Sequence, residues 1–239
     1  MPTLMTRPTF DLLVDVRRQL AAGAGPLPPS TDPSYIFVPW AGEQLIAKGR
    51  GIYYVGIATN ADEAGSCQSF EEALKDTEKF CRCPTVGYSP FWRFLDRLTR
   101  ELFNGPYDQT QEWWGWSNLL KVAGSAGSPD TWPLSFSEKQ RPASLSALQE
   151  EIGRLQDSLI VVVSANDYGI LYGSVDERDG WDTHVIESTK GRVEVRNLRG
   201  PKGNTYLHLP HPNYMRRRGV FDPAVSYVVQ NARELRPFN

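Results

Sequence analysis

Two uncharged runs constrain this chain more than anything else in it. They are Ile52-Tyr53-Tyr54-Val55-Gly56-Ile57 and Leu159-Ile160-Val161-Val162-Val163. β-Branched and aromatic residues without a charge suit strands that are covered on both faces. Such strands, set between stretches of helical spacing, call for an α/β sandwich with a mostly parallel sheet.

The surrounding sequence fills in the elements. Residues 10–22 carry Phe10, Leu13, Val14 and Leu20 at near-helical spacing, so a helix is expected there. Residues 23–33 are rich in glycine, proline and serine and read as an arm. The chain therefore divides into an N-terminal helix with its arm, residues 1–33, and one α/β domain, residues 34–239. Residues 40–48 read as a short helix stopped by Gly49. Ser69 and Glu72 have capping-box spacing and open a helix that runs to about Cys81. Ser89-Pro90 is an N-cap followed by a first-turn proline. The stripe Phe91, Phe94, Leu95, Leu98 and Leu102 then reads as a core-facing helix. Residues 113–122 form a second apolar run, 124–142 a long loop, and 145–155 a helix. A further helix is expected to begin within 166–173, a hairpin around Gly191 within 176–203, and a last short strand at 206–209. Asp222-Pro223 starts a terminal helix that reaches toward Leu235.

Composition excludes some classes. Forty per cent apolar and 23 per cent charged residues are globular values, which rules out wholesale disorder. A net charge of −2 rules out a protein that coats nucleic acid by overall basicity, and leaves room for a local basic patch. The three cysteines, Cys67, Cys81 and Cys83, are an odd count and point to free thiols in a reducing compartment. Cys81 and Cys83 together fall short of a four-thiolate metal or cluster set, so no metal and no cofactor is expected. The N-terminus has no apolar core followed by a small-residue cleavage site, and no run of about 18 apolar residues occurs. A cytoplasmic, membrane-free monomer is the expectation.

In parallel sheets ligands gather beyond the carboxyl ends of the strands. That rule selects the turns after Ile57, after the run holding Ser117, Asn118 and Lys121, after Val163 and after Leu209. Gly56 allows close approach of a flat ligand to the backbone, and Asn60, Asp62 and Glu63 follow it as candidates to hold a water. Asn118 has both a donor and an acceptor. It can read the edge of a base, or be a buried amide satisfied by backbone. After Leu209 comes Pro210-His211-Pro212-Asn213-Tyr214-Met215-Arg216-Arg217-Arg218-Gly219. The two prolines forbid a continuing strand and argue against a helix, so a stiff exposed turn is expected. It would present His211 as a donor to a developing negative charge, and Arg216, Arg217 and Arg218 to phosphates.

This ordered set resembles the uracil-DNA glycosylase superfamily, and in particular its glycosylase-like branches. The matching pieces are Val55-Gly56-Ile57-Ala58-Thr59-Asn60, the helix around Phe91-Trp92, Trp116-Ser117-Asn118-Leu119-Leu120-Lys121, the helix and strand of residues 148–163, Asp167-Tyr168, and His211-Pro212-Asn213-Tyr214-Met215-Arg216-Arg217. They follow the family's order from residue 52 to residue 219.

The resemblance implies a three-layer α/β/α sandwich around a four-stranded, mostly parallel sheet. It also implies hydrolysis of the N-glycosidic bond of a damaged base, typically uracil, flipped out of DNA into a pocket. The partner is then DNA that contains a damaged base. Carried over, Gly56, Ile57 and Ala58 lie against the base, Asn118 reads its edge and Phe80 stacks on its face. His211 steadies the departing base anion, and Pro212, Asn213, Arg216, Arg217 and Arg218 approach the DNA backbone. The first motif departs from the family's pattern, with Ile57-Ala58-Thr59 where a proline and a water-positioning side chain usually stand. Water activation would then fall to Asn60 or Asp62, or to the electrostatics of His211. A base-binding module that has lost hydrolysis is the alternative.

Overall fold

The two uncharged runs lie side by side in the middle of one sheet. The computed structural model describes residues 3–22, 33–57, 69–82, 89–105, 110–124, 134–164 and 182–234. In chain order its elements are α1 (Arg7–Ala22), β1 (Pro33–Ile36), β2 (Trp40–Ala41), α2 (Glu43–Lys48), β3 (Ile52–Gly56), α3 (Phe70–Arg82) and α4 (Pro90–Phe103). They continue with β4 (Trp114–Asn118), β5 (Val122–Gly124), α5 (Leu134–Gly153), β6 (Leu159–Val163), β7 (Asp182–Ser188), β8 (Gly191–Arg199), β9 (Thr205–Leu209), α6 (Pro212–Arg217) and α7 (Phe221–Glu234).

The main sheet has seven strands in the order β2-β4-β3-β6-β9-β8-β7. Its four middle strands, β4, β3, β6 and β9, run parallel to one another. β2 joins one edge antiparallel, and the β7–β8 hairpin joins the other. The expected four-stranded sheet is thus the parallel middle of a wider, mixed one. β1 and β5 form a separate antiparallel pair.

Period-two alternation along β3 shows how helices meet this sheet. The Tyr53 hydroxyl donates to Glu151 of α5 at 2.8 Å. The next residue, Tyr54, reaches Thr99 of α4 at 2.8 Å. Thr99 spends its own proton on the Leu95 carbonyl, so Tyr54 is the donor in that pair. α1 packs on α5, and α4 packs on α6 and α7. Phe10, Leu13 and Leu20 of α1 are buried in the same core as the strands. The helical half of the N-terminal segment is therefore part of the domain's core, while residues 23–32 lie outside the described residues.

Most helix boundaries follow their capping chemistry. Ser69 and Glu72 make the reciprocal bonds of a capping box, at 3.0 and 3.2 Å. The Ser89 hydroxyl accepts the Phe91 amide at the start of α4. Gly49 closes α2 in the left-handed region, with φ 62°.

Three expectations are corrected. Trp40-Ala41 is strand rather than helix, because it pairs with Trp116 and Gly115 of β4. Residues 134–142 are the first half of α5 rather than loop, with Pro142 inside the helix. An internal proline costs a helix about 3 kcal/mol or more. Here one face buries Phe136, Gln140, Ala143, Ala147 and Leu148. Gln140 also holds the Val122 amide and carbonyl at 2.9 and 3.0 Å. This packing outweighs the missing N–H of Pro142.

The third correction is α6, which begins directly after β9. His211 is its N-cap and Pro212 its first residue. Proline is favoured there because its absent N–H would have been unpaired anyway. The extended ψ of 137° at His211 is what a following proline imposes. The expected helix within 166–173 lies outside the described residues. The hairpin around Gly191 is present as β7 and β8.

Candidate functional site

Parallel pairing brings the carboxyl ends of β4, β3, β6 and β9 to one edge. Gly56 pairs with Asn118, Val55 with Val162 and Val163 with Leu209. Asn118, Gly56, Val163 and Leu209 therefore stand level, and His211 follows two residues beyond Leu209. Adjacent strands are about 4.8 Å apart, so β9 lies roughly 10 Å from β3 along this edge.

Asn118 is buried and directed over Gly56. A Cβ at residue 56 would stand 2.6 Å from Asn118 Oδ1 and 3.6 Å from the Phe91 ring. The missing side chain of Gly56 is therefore what seats the Asn118 amide, a sharper requirement than room for a ligand. The backbone beyond Asn118 is pinned in turn. The Leu119 amide donates to the Gly56 carbonyl at 2.8 Å and the Leu120 amide to Ile57 at 2.9 Å.

The sequence places Phe91 in a core stripe, on the helix that the resemblance includes. It is half-buried, at the first turn of α4, and belongs to an aromatic cluster with Trp92 and Trp116. Phe80 touches the same cluster from outside, 5.1 Å from Trp92 and 5.9 Å from Trp116, and is itself exposed. The ring beside Gly56 and Asn118 is thus Phe91. The signal that could have found it is its position at the N-terminus of a helix running back from this edge, where the other stripe members lie deeper.

His211 is half-buried, and its Nδ1 accepts the Asn213 amide at 3.3 Å. A ring nitrogen that accepts cannot also carry the proton, so the neutral imidazole carries it on Nε2. Pro212 and Met215 are buried, which anchors α6. Arg216, Arg217 and Arg218 are exposed. Arg216 reaches the Asn213 side chain at 3.3 Å, and the Arg218 guanidinium lies 5.2 Å from the centre of the Tyr214 ring. Asn60, Asp62 and Ala58 lie outside the described residues, as do Asp167, Tyr168, Cys67 and Cys83. Cys81 is buried in α3, where burial pushes its thiol pKa up.

Two buried polar groups near this edge have partners that the sequence does not show. His208, inside β9, meets the Ser164 hydroxyl at 2.9 Å through Nε2. Burial holds its imidazole down at about 4; a backbone hydrogen bond at Ser164 opposes that shift, and the Arg196 charge adds to it.

Lys121, three residues past Asn118, forms a fully buried ion pair with Glu151 of α5 at 2.7 Å. Glu151 also accepts from the Tyr53 and Ser117 hydroxyls, at 2.8 and 2.7 Å. The Lys121 ammonium donates to Ser117 as well. Burial lowers the Lys121 pKa, and Glu151 opposes that shift. The cluster is shielded from solvent and ties the Asn118 segment to α5.

Among the described residues no helix is long and apolar enough to cross a membrane. Compared with models of protein families and with curated proteins, the sequence matches none.

Proposed function

We propose that this chain is a DNA glycosylase-like protein on a three-layer α/β/α sandwich. It hydrolyses the N-glycosidic bond of a flipped uracil or related deaminated base. The observation that carries the reading is the seating of Asn118 over Gly56 beside Phe91, at the strand edge that also bears His211. An amide against an aromatic ring suits a flat heterocycle, whose edge it can read and whose face the ring can cover. His211 supplies an Nε2–H to the base oxygen on which negative charge collects as the glycosidic bond breaks. The bond between the sugar carbon and the base nitrogen breaks, water bonds to that carbon, and the proton it loses goes to the departing base anion.

Asn60 or Asp62 would orient that water. The exposed Arg216, Arg217 and Arg218 would hold the DNA backbone. Monomeric action in the cytoplasm completes the reading.

A second reading keeps the pocket without hydrolysis. It rests on Ile57-Ala58-Thr59, which offers no water-positioning side chain before Asn60.

Oligonucleotides with a single uracil, xanthine or hypoxanthine, incubated with the protein and then treated with alkali, separate the two. Strand cleavage that His211→Ala and Asn118→Ala both reduce is expected for the enzyme. Binding of base or DNA without cleavage by folded protein supports the module. Neither cleavage nor binding defeats both.

A further inference from the structure

The β7–β8 hairpin lies between β6 and β9 in sequence but beyond β9 in space. Its register with β9 places Arg196 opposite His208. Gly191, five residues earlier on the antiparallel strand, therefore stands roughly 17 Å further on at about 3.4 Å per residue. The turn at residues 188–191 projects past the carboxyl edge and reaches the end of α6.

There the two pieces interlock. The Ser188 hydroxyl donates to the Arg218 carbonyl at 2.6 Å, and the Lys190 amide donates back to Ser188 at 3.0 Å. Both close approaches use glycines at positive φ, 146° at Gly191 and 65° at Gly219. A Cβ at Gly191 would stand 2.8 Å from Arg218 Cδ, and one at Gly219 would stand 3.3 Å from Lys190 Cδ. Each strand of the interlock thus carries a long cation across the other's glycine.

Lys190, Arg216, Arg217 and Arg218 are all exposed. Among the described residues none of the four forms an ion pair with a carboxylate. The nearest carboxylate in the turn, Glu187, stands opposite Arg192 in the hairpin ladder. In a chain of net charge −2 this is a local concentration of like charge, carried on two pieces of backbone that a hydrogen bond joins. Cations held side by side repel one another, and a polyanion relieves that repulsion while releasing its own counterions.

We infer that the β7–β8 turn and the carboxyl end of α6 form one phosphodiester-binding surface, in which Lys190 and Arg218 hold the backbone of the DNA strand whose base enters the site. The inference rests on the DNA reading above and adds the hairpin to it. It also accounts for the hairpin's length, since a shorter one would leave its turn short of α6.

The test is fluorescence anisotropy of a labelled, uracil-containing duplex titrated with protein over a range of salt concentrations. The variants are Lys190→Gln, Arg218→Gln, both together, and Lys139→Gln on the exposed side of α5 as control. Each lost phosphate contact should lower the slope of log affinity against log salt by about 0.9, which at about 0.1 M salt is about an eightfold loss relative to the 1 M limit. The double variant should lose about twice the slope. Lys139→Gln should keep the wild-type slope, and so should Lys190→Arg, which keeps the charge.

Wild-type slopes in folded Lys190→Gln overturn the hairpin's role and leave the DNA reading standing. No salt-dependent binding by the wild-type protein overturns the DNA reading, and this inference with it. Equal losses in the Lys139→Gln control show a diffuse charge effect and also overturn it.

Discussion

Glu151→Gln isolates the charge of the buried pair, because the amide oxygen can still accept from Tyr53 and Ser117. What it removes is the only carboxylate within ion-pair distance of Lys121 among the described residues. Both partners are completely shielded from solvent. Removing one member of such a pair leaves an uncompensated charge and costs about 3–5 kcal/mol. For a chain of this size about 1 kcal/mol moves Tm by about 2–4 °C, so the melting temperature should fall by about 6–20 °C.

The pH dependence gives a second, independent check. Burial already lowers the Lys121 pKa, and Glu151 is what opposes the shift. In the variant the opposition is gone. The folded state then favours neutral amine at pH values where the unfolded chain is still protonated. The unfolded state binds more protons, so stability rises with pH up to the ordinary lysine value of about 10.4. The deficit should be largest near neutrality and shrink in mildly alkaline solution. Urea unfolding followed by circular dichroism, at neutral and alkaline pH, measures both quantities. A deficit under about 1 kcal/mol, or one that grows with pH, would refute the account. Replacing the pair together, Lys121→Met with Glu151→Leu, should cost less than Glu151→Gln alone, because no charge is left buried.

Other consequences follow from neighbouring groups. His208 is held near 4 in the folded chain against about 6.5 when unfolded, so stability should be intact above about pH 6.5 and fall by about 3 kcal/mol as pH drops toward 4. His208→Gln should flatten that slope in the same unfolding experiment, and an unchanged slope would assign it elsewhere. Gly56→Ala forces a Cβ to within 2.6 Å of Asn118 Oδ1, so the amide must turn. Overpacking should cost about 1–3 kcal/mol, and calorimetric affinity for free uracil should fall about tenfold or more, the ratio that about 1.4 kcal/mol gives. Ser117→Ala and Asn118→Ala should behave oppositely despite adjacency. The first should lose about 1.5–3 kcal/mol of stability through the Lys121–Glu151 cluster with base affinity retained, and the second should lose base affinity at smaller cost. Equal effects on both readouts would contradict the separation.

The parallel middle of the sheet was legible because β3 and β6 are runs that only burial on both faces explains, and because capping residues mark α3 and α4 directly. The rest depended on partners far away in sequence. Trp40-Ala41 becomes strand through Trp116 and Gly115. Pro142 sits inside α5 because Gln140 and the buried face hold that helix in place. At His211-Pro212 two properties of proline point opposite ways, ending a strand and opening a helix, and the second prevails. In the candidate site, Gly56, Asn118 and His211 could be named from their places at strand ends. Periodicity alone does not separate Phe91 from its stripe, since it gives the face a residue occupies and not how near it stands to a strand end; its place in the first turn of α4 does. Lys121–Glu151 was equally hidden, because a charge in an apolar run does not reveal the carboxylate 30 residues later that meets it.

The two ends of the parallel strands use their polar side chains differently. At the amino ends, the Ser158 hydroxyl donates to the Gly49 carbonyl at 2.8 Å and accepts the Gly51 amide at 3.2 Å. Asn204 accepts the Ser158 amide at 2.9 Å and donates to the Leu155 carbonyl at 3.2 Å. These side chains close backbone groups that would otherwise be buried without partners, so that end is sealed. At the carboxyl ends part of the backbone is satisfied by backbone, as with Leu119 and Leu120 on Gly56 and Ile57. The last side chains of β4 lie beside that backbone. Strand alternation then divides them: Ser117 turns toward α5 and joins the buried ion pair, while Asn118 turns toward α4 and the Phe91 ring. The ion pair fixes the position of the strand, and with it the seat of the amide one residue later over Gly56.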